Sequence, residues 1–575
     1  MTRGKDRAGD AGGLANRLAL WRAAKAPAAT AFNSQPEPRT IGLFGRGKQL
    51  IAGNLLFAGH LVQAPGRSLW DIAPPDAAYA AELHGFAWLD DLAAVGDHAA
   101  RSLAQGWTWD WIDRFGAGQG PGWTPDLVGR RLIRWINHAL LLLQGCDKAR
   151  ADTYFRALSV QTVFLSRRWK QAAPGLPRFE ALTGLISAGL ALDGMEGHVA
   201  RAISALEQDC AREIDAGGGI PTRNPEELLE VFTLLTWAGR ALAESGRAAG
   251  PALSAAMGRI APSLRGLRHA DGGLARFHGG GRGVEGRLDQ ALAASGVPVT
   301  LPPPVSMGFA RLADGRTSLI VDAAPPPAGR ASRAAHASTL AFELTSGRRP
   351  LIVSCGPGAG FGADWGRAGR ATPSHSTLAL DGFSSSRLAV DGNELAEIAA
   401  VPVMRVIPGE DETIFHAVHT GWAATHGLIH RRDLILSGDG RRLSGLDALS
   451  ATTPAARRRF EQMMAQGQPE GIGFAIRFHL HPDVDAALDL GGTAVSLALK
   501  SGEIWVFRHD GQAVLSLDPS VHLERGRLKP RASRQIVLSA RAYDFETRIG
   551  WTLAKAQDTP LAIRDLERDD LPVPL

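Results

Sequence analysis

GVPVTLPPPVSMG, residues 296–308, divides this chain into two halves of unlike texture. Four of its thirteen residues are proline, which removes backbone donors and favours an extended connector. Upstream, the apolar residues recur three and four apart. FAWLDDLAAVGDHAARSLAQ (86–105), DLVGRRLIRWINHALLLLQ (126–144), ARADTYFRALSVQTVFLSRRW (149–169), GHVARAISALEQDCAREI (197–214) and NPEELLEVFTLLTWAGRALAE (224–244) all carry this helical period. Gly- and Pro-bearing breaks at 116–125, 174–177, 217–221 and 246–251 separate them, so successive helices pack as hairpins. Downstream the runs shorten and turn β-patterned: TSLIVDA (317–323), STLAFELTS (338–346), RPLIVSCG (349–356), STLALDG (376–382), RDLILSGDGRRL (432–443), GFAIRFHLHPD (473–483), AVSLALKSGEIWVF (494–507) and RQIVLSA (534–540). Strands at this spacing, split by Gly and Asp turns, predict an antiparallel sandwich rather than a parallel sheet.

The expected organisation is therefore α+β and multidomain. A basic flexible segment over 1–45 precedes a helical domain over 46–295; the Pro-rich linker over 296–308 then leads to a β-sandwich over 309–575. The GxG strings at 279–283 and 356–362 do not sit between a strand and a helix, so they make poor nucleotide-binding loops.

Composition narrows the function classes. Of 575 residues, 45% are hydrophobic and 21% charged, as in ordinary globular chains. Three cysteines (Cys146, Cys210, Cys355) cannot form a disulfide framework, and no CxxC pair suggests structural zinc. No apolar run approaches the ~18 residues of a transmembrane helix. The net charge is +5, yet residues 1–50 alone hold nine basic and three acidic side chains. The remainder is nearly balanced, so no nucleic-acid partner is expected. Asn16 and Arg17 interrupt the apolar stretch Leu14–Leu20, which a signal peptide would need whole. By sequence the chain reads as cytoplasmic, and nothing sets its oligomeric state. Five tryptophans (Trp107, Trp109, Trp111, Trp123 and Trp135) crowd into thirty residues. Indole faces stack on sugar rings, which makes Trp111 a candidate for a carbohydrate cleft; filling helix interfaces is the alternative.

A collinear set of stretches resembles the heparinase II/III family of polysaccharide lyases. They are LHGFAWLDDLAAVGDHAAR (83–101), PDLVGRRLIRWINHALLLL (125–143), GGGIPTRNPEELLEVFTLL (217–235), HADGGLARFHGG (269–280), HASTLAFELTSGRRPLIVSCG (336–356) and ATPSHSTLALDG (371–382), with further ones at 430–449, 474–484 and 534–540. The resemblance implies an incomplete (α/α) toroid of helical hairpins followed by an antiparallel β-sandwich. It also implies β-elimination at a uronic acid of an acidic, glycosaminoglycan-like polysaccharide, in the cleft between the domains. Such a site must neutralise the carboxylate, abstract the proton beside it and protonate the departing oxygen.

Carried over residue by residue, Asn224 matches the neutralising Asn, with an N-cap before Pro-Glu-Glu as the alternative, and His336 matches the sandwich histidine. His278 stands near the expected proton-transfer position. Apart from that match, Arg223 beside Asn224 would clamp a carboxylate or simply pair with a nearby acid, and Trp111 and Trp422 are the candidate substrate-contacting aromatics. The chemistry requires no cofactor; His336 and His375, both opening strands of one domain, are the pair that would ligate zinc. Two departures run against activity. None of Tyr79, Tyr154 and Tyr543 falls in a segment matching the family's catalytic Tyr, and Ser354 and Cys355 stand where metal-binding relatives carry a carboxylate. The resemblance places the protein in the cell envelope or periplasm. The alternative function is a catalytically impaired glycan-binding or envelope-associated scaffold of the same fold.

Overall fold

The computed structural model describes residues 8–33, 37–390, 393–465 and 470–558. Its first half is helical up to Arg287–Ser295, and its second half is built from antiparallel strands. The helices form the expected incomplete (α/α) toroid. Helix Pro225–Glu244 shows how the sequence writes them. Asn224 caps it, Pro225 opens it where a missing N–H costs nothing, and Glu226 and Glu227 lie in its first turn. Its apolar positions, among them Leu228, Val231, Phe232 and Leu235, are buried.

Helices Pro125–Asn137 and Leu176–Ala191 cross at two glycines. A Cβ on Gly184 would lie 2.5 Å from Gly129 Cα, so neither position has room for a side chain. Among the described residues, no helix is long and apolar enough to cross a membrane.

The boundaries differ from expectation at two points. Residues Ala8–Ala24, inside the stretch expected to be flexible, form a helix lying against Lys148–Arg168. The linker already joins the sandwich at Val305–Ser306, which pairs with Phe309–Asp314. A connector meeting a sheet edge satisfies its backbone groups sooner by pairing than by hydration.

The sandwich consists of an eight-stranded and a nine-stranded sheet. Among the described residues, the nine-stranded sheet runs from Val514–His522 through Arg531–Ala542, Ile472–Leu480, Arg349–Val353, Phe342–Ser346 and Thr317–Asp322 to Phe309–Asp314 and Val305–Ser306, with Leu378–Leu380 pairing beside Arg349–Val353 on Ile472–Leu480. Strand Leu428–Ser437 of the other sheet alternates buried and half-buried residues along its length, the pattern of a one-faced strand. Phe342 and Trp551 stack across the gap, with centroids 6.0 Å apart. The helical core extends into the sandwich through Phe309, Ile320 and Ala341, so the halves share one apolar seam.

Candidate functional site

Two residues with left-handed backbone mark where the halves meet. Arg223 (φ 49°) precedes the cap of helix Pro225–Glu244, and His278 (φ 48°) lies in the loop after the last long helix. Non-glycine residues hold that conformation only where their surroundings compel it. Here both side chains reach the same carboxylate on the sandwich, that of Asp322, which ends strand Thr317–Asp322 and is wholly buried.

Arg223 Nη2 donates to Asp322 Oδ1 at 2.7 Å and to the Gly308 carbonyl at 2.9 Å. Its remaining donors take the carbonyls of Met307, Ala324 and Pro325, and its guanidinium lies 4.6 Å from the Phe309 ring centre. Ser338 donates to Asp322 Oδ2 at 2.7 Å, and His278 Nε2 lies 3.5 Å from the same oxygen. Burial alone would raise the Asp322 pKa; Arg223, then His278 and the Ser338 hydroxyl, hold it well below the usual carboxylate range. The guanidinium expected to clamp a substrate carboxylate is thus taken by a carboxylate of the chain itself. That corrects the substrate-binding expectation for Arg223.

Three imidazoles, those of His278, His336 and His375, come together at the seam. His278, His336 and His375 are 1%, 2% and 0% exposed. Ring centres lie 6.1 Å apart for His278 and His336, and 4.9 Å apart for His336 and His375. Two of the three have a lone pair with a specific partner. His278 Nδ1 accepts from the backbone N–H of His336 at 3.2 Å, and His336 Nε2 accepts from that of Gly279 at 3.0 Å. Each neutral ring then carries its proton on the other nitrogen. Among the described residues, His336 Nδ1 and both nitrogens of His375 are buried without a hydrogen-bond partner.

Burial lowers all three pKa values. His375 falls to about 3, with His479 adding to the effect. His336 falls well below its ordinary value, helped by His375 and His278. For His278, burial outweighs the upward pull of Asp322. All three are neutral at physiological pH.

Asn224 is buried at the helix start, against the loop that carries His278 and Gly279. Its Oδ1 accepts from the N–H groups of Glu226 (3.0 Å) and Glu227 (3.2 Å), which is the capping role its position suggests. Among the described residues, its Nδ2 has no hydrogen-bond partner. Gly280 packs over it so closely that a Cβ there would lie 2.3 Å from Asn224 Oδ1.

Zinc does not fit here. His336 and His375 supply two imidazoles, but Asp322, the nearby carboxylate, is already bound by Arg223 and Ser338. Among the described residues, no group of three His, Cys, Asp or Glu is arranged to hold a metal ion. Cys355 is buried with its thiol against His479 Nδ1 at 3.5 Å and the Ser520 hydroxyl at 3.9 Å.

Neither tryptophan presents a face to a sugar. Trp111 is buried, donates to His84 Nδ1 at 3.0 Å and packs 4.0 Å from the Arg131 guanidinium. Trp422 is buried, donates to the Phe383 carbonyl and rests against His419. Both fill cores, the alternative recognised for such clusters, and both corrections have the same cause: the indole area that would stack on sugar is spent on side chains. The three tyrosines lie elsewhere. Tyr79 and Tyr154 are in the helical core, with Tyr154 donating to the Trp135 carbonyl, and Tyr543 is exposed on the sandwich.

The sequence reading missed the acids that tie the halves together. Besides Asp322, Glu343 in strand Phe342–Ser346 accepts from His269 Nε2 and from Arg276 through both its backbone N–H and its Nε. Burial would raise its pKa, yet Arg276 and His269 hold it at about 2. Arg525 spans the same seam, pairing with Glu226 at 3.0 Å and donating to the Gly279 carbonyl. The available signal was an acid inside an otherwise apolar strand run, as in TSLIVDA and AFELTS. Cavities of about 570 and 360 Å³ open on the helical half, lined by residues such as Phe32, His138 and Leu140 or Arg67, Ser68 and Asp110; neither includes a junction residue.

A helical toroid leading into a two-sheet antiparallel sandwich is the architecture this chain shares with solved polysaccharide lyases. The family profile "Heparinase II/III-like, C-terminal" matches residues 300–552. A Caulobacter vibrioides protein named FtsZ-localized protein C is 32% identical over 577 aligned residues, covering 94% of this chain and 96% of that one. Heparinase III superposes with a TM-score of 0.66 at 14% identity, covering 95% of this chain and 90% of that one. A mutant of the heparan sulfate lyase HepC from Pedobacter heparinus gives 0.58 at 14% identity, covering 96% and 89%. The chain belongs to the heparinase II/III family.

Proposed function

We propose that this chain is a catalytically impaired polysaccharide-lyase homologue that serves as a scaffold, in an assembly like the one its Caulobacter relative is named for. The observation that carries this reading is the fate of the two leading bases. The lone pairs of His278 and His336 both accept backbone N–H groups, on rings that are 1% and 2% exposed. A general base must have a free lone pair within reach of the proton it takes. The engagement of Arg223 by Asp322 and the placement of all three tyrosines away from the junction support the same reading.

A second reading, a working lyase of a uronate-containing acidic glycan, is favoured by one feature. Among the described residues the Asn224 amide nitrogen donates no hydrogen bond, its Oδ1 serving as the cap, and neither ring nitrogen of His375 has a partner. In that reading Asn224 would neutralise the uronate and the imidazoles would move its proton. The test is ultraviolet absorbance from a new unsaturated uronate, followed across a panel of acidic polysaccharides with wild type and His336→Ala. The scaffold reading expects no turnover by either protein. Turnover by wild type that His336→Ala abolishes would overturn it and establish the lyase.

A further inference from the structure

Helix Ala8–Ala24 lies on the fold by one side only. Ala19 and Ala23 are buried against the helical core, Leu20 packs on it, and Asn16 Oδ1 accepts from Arg168 Nε at 2.7 Å. The opposite side carries Leu14, Leu18 and Trp21, which are 68%, 49% and 55% exposed. These positions are four and three apart, so they form a single stripe along the helix. Arg17 and Arg22, both exposed, fall to either side of it. Exposed Lys25 continues the stripe by one turn, with its ammonium 3.8 Å from the centre of the Trp21 ring. An apolar row of this size facing water, rimmed by cations, has the make-up of a helix that lies in a bilayer interface.

We propose that this helix docks the protein flat onto an anionic phospholipid surface. Leu14, Leu18 and Trp21 would enter the boundary between headgroups and acyl chains, while Arg17, Arg22 and Lys25 meet lipid phosphates. The choice of lipid over a protein groove rests on charge. Residues 13–25 carry three cations, Arg17, Arg22 and Lys25, and no acid, and none of the three forms an ion pair among the described residues, so the stripe is rimmed by uncompensated positive charge. The helix is too short and too interrupted by charge to span a membrane, so the attachment is peripheral. This inference does not depend on whether the junction is catalytic.

The experiment is flotation of the full chain with phosphatidylcholine vesicles, with and without phosphatidylglycerol. Three proteins are compared: wild type, Arg17→Gln/Arg22→Gln/Lys25→Gln, and Leu14→Ser/Leu18→Ser/Trp21→Ser. Each basic residue near an anionic surface contributes about 5-fold in partitioning, so removing all three lowers binding about 100-fold. Wild type is expected to float only with the anionic vesicles, and less at high salt. The apolar variant is expected not to float. Because every altered side chain is exposed, both variants should keep the wild-type unfolding midpoint; if one does not, Leu18→Ser alone is measured instead. Failure of wild type to float, equal flotation on both vesicle types, or wild-type flotation by the apolar variant would overturn the proposal. Failure to float with lipid overturns it whatever protein the stripe captures.

Discussion

Replacing Arg223 by Ala tests how the two halves are held together. The guanidinium is the only cation within hydrogen-bonding distance of the Asp322 carboxylate among the described residues, apart from the His278 ring at 3.5 Å, and that ring is neutral at physiological pH. It also serves four carbonyls from the start of the sandwich and from the loop after Asp322. Removing one partner of a buried ion pair costs about 3–5 kcal/mol, because the other charge stays buried without compensation. Adding about 1 kcal/mol for every lost carbonyl bond would overshoot that range. The space vacated by the side chain admits water, which can hydrate the carbonyls but only partly stabilises a buried carboxylate. The expected loss is therefore set by Asp322 and stays near 3–5 kcal/mol at neutral pH.

The pH dependence gives the sharper test. In the wild type the Asp322 pKa is depressed, so its contribution is present above the ordinary carboxylate range and is lost as pH falls. In Arg223→Ala burial acts with far less opposition, the pKa rises, and acidification relieves the penalty by neutralising the acid. The two stability curves must then converge as pH is lowered. Urea unfolding followed by tryptophan fluorescence between about pH 7 and pH 4 reads both the midpoint and the slope. Adding Asp322→Asn to Arg223→Ala should recover part of the loss at neutral pH. A cost below about 1 kcal/mol, or a gap that widens on acidification, would refute the reasoning.

The other expectations concern the cap and a buried acid. Asn224→Ala removes the acceptor for two N–H groups and should cost about 0.5–2 kcal/mol, while Asn224→Asp, which keeps an acceptor and loses the amide donor, should cost less; equal losses would mean that the cap is not what Asn224 contributes to stability. Glu180, buried between helices, has its pKa pushed up to about 7 by burial, against the attraction of Arg130 and with Asp126 and Glu230 adding to the rise. A raised carboxyl pKa contributes stability at low pH that is lost as pH climbs from about 4.5 through 7. Glu180→Gln should therefore gain on the wild type between about pH 5 and 8, and parallel unfolding curves over that range would contradict the assignment.

The division of the chain at 296–308 was legible because helical and strand periods differ and cannot be confused over runs of this length. Strands Val403–Pro408, Glu412–Trp422 and Glu546–Gln557 escaped the reading. Val403–Pro408 buries no residue, and the inward residues of the other two alternate with His, Thr, Arg and Lys, which dilutes the apolar signal. Trp111 and Trp422 were illegible for a different reason. The same flat indole suits a sugar and a helix interface, and only three-dimensional neighbours separate the two uses.

The junction is the instructive case. His278, His336 and His375 converge although they are separated by up to 97 residues, and only family resemblance could foretell that. What resemblance could not supply is the state of their lone pairs, because a backbone N–H leaves no trace in the sequence. Asp322 was equally hidden, ending an apolar strand 99 residues from the arginine that neutralises it. Yet Asp322 decides how Arg223 is used. A cation committed to a buried internal carboxylate can turn to a uronate only by leaving that carboxylate unpaired, at a cost of about 3–5 kcal/mol. A substrate would have to outbid that cost before any chemistry began, so the missed acid bears more heavily on function than the histidines that were found.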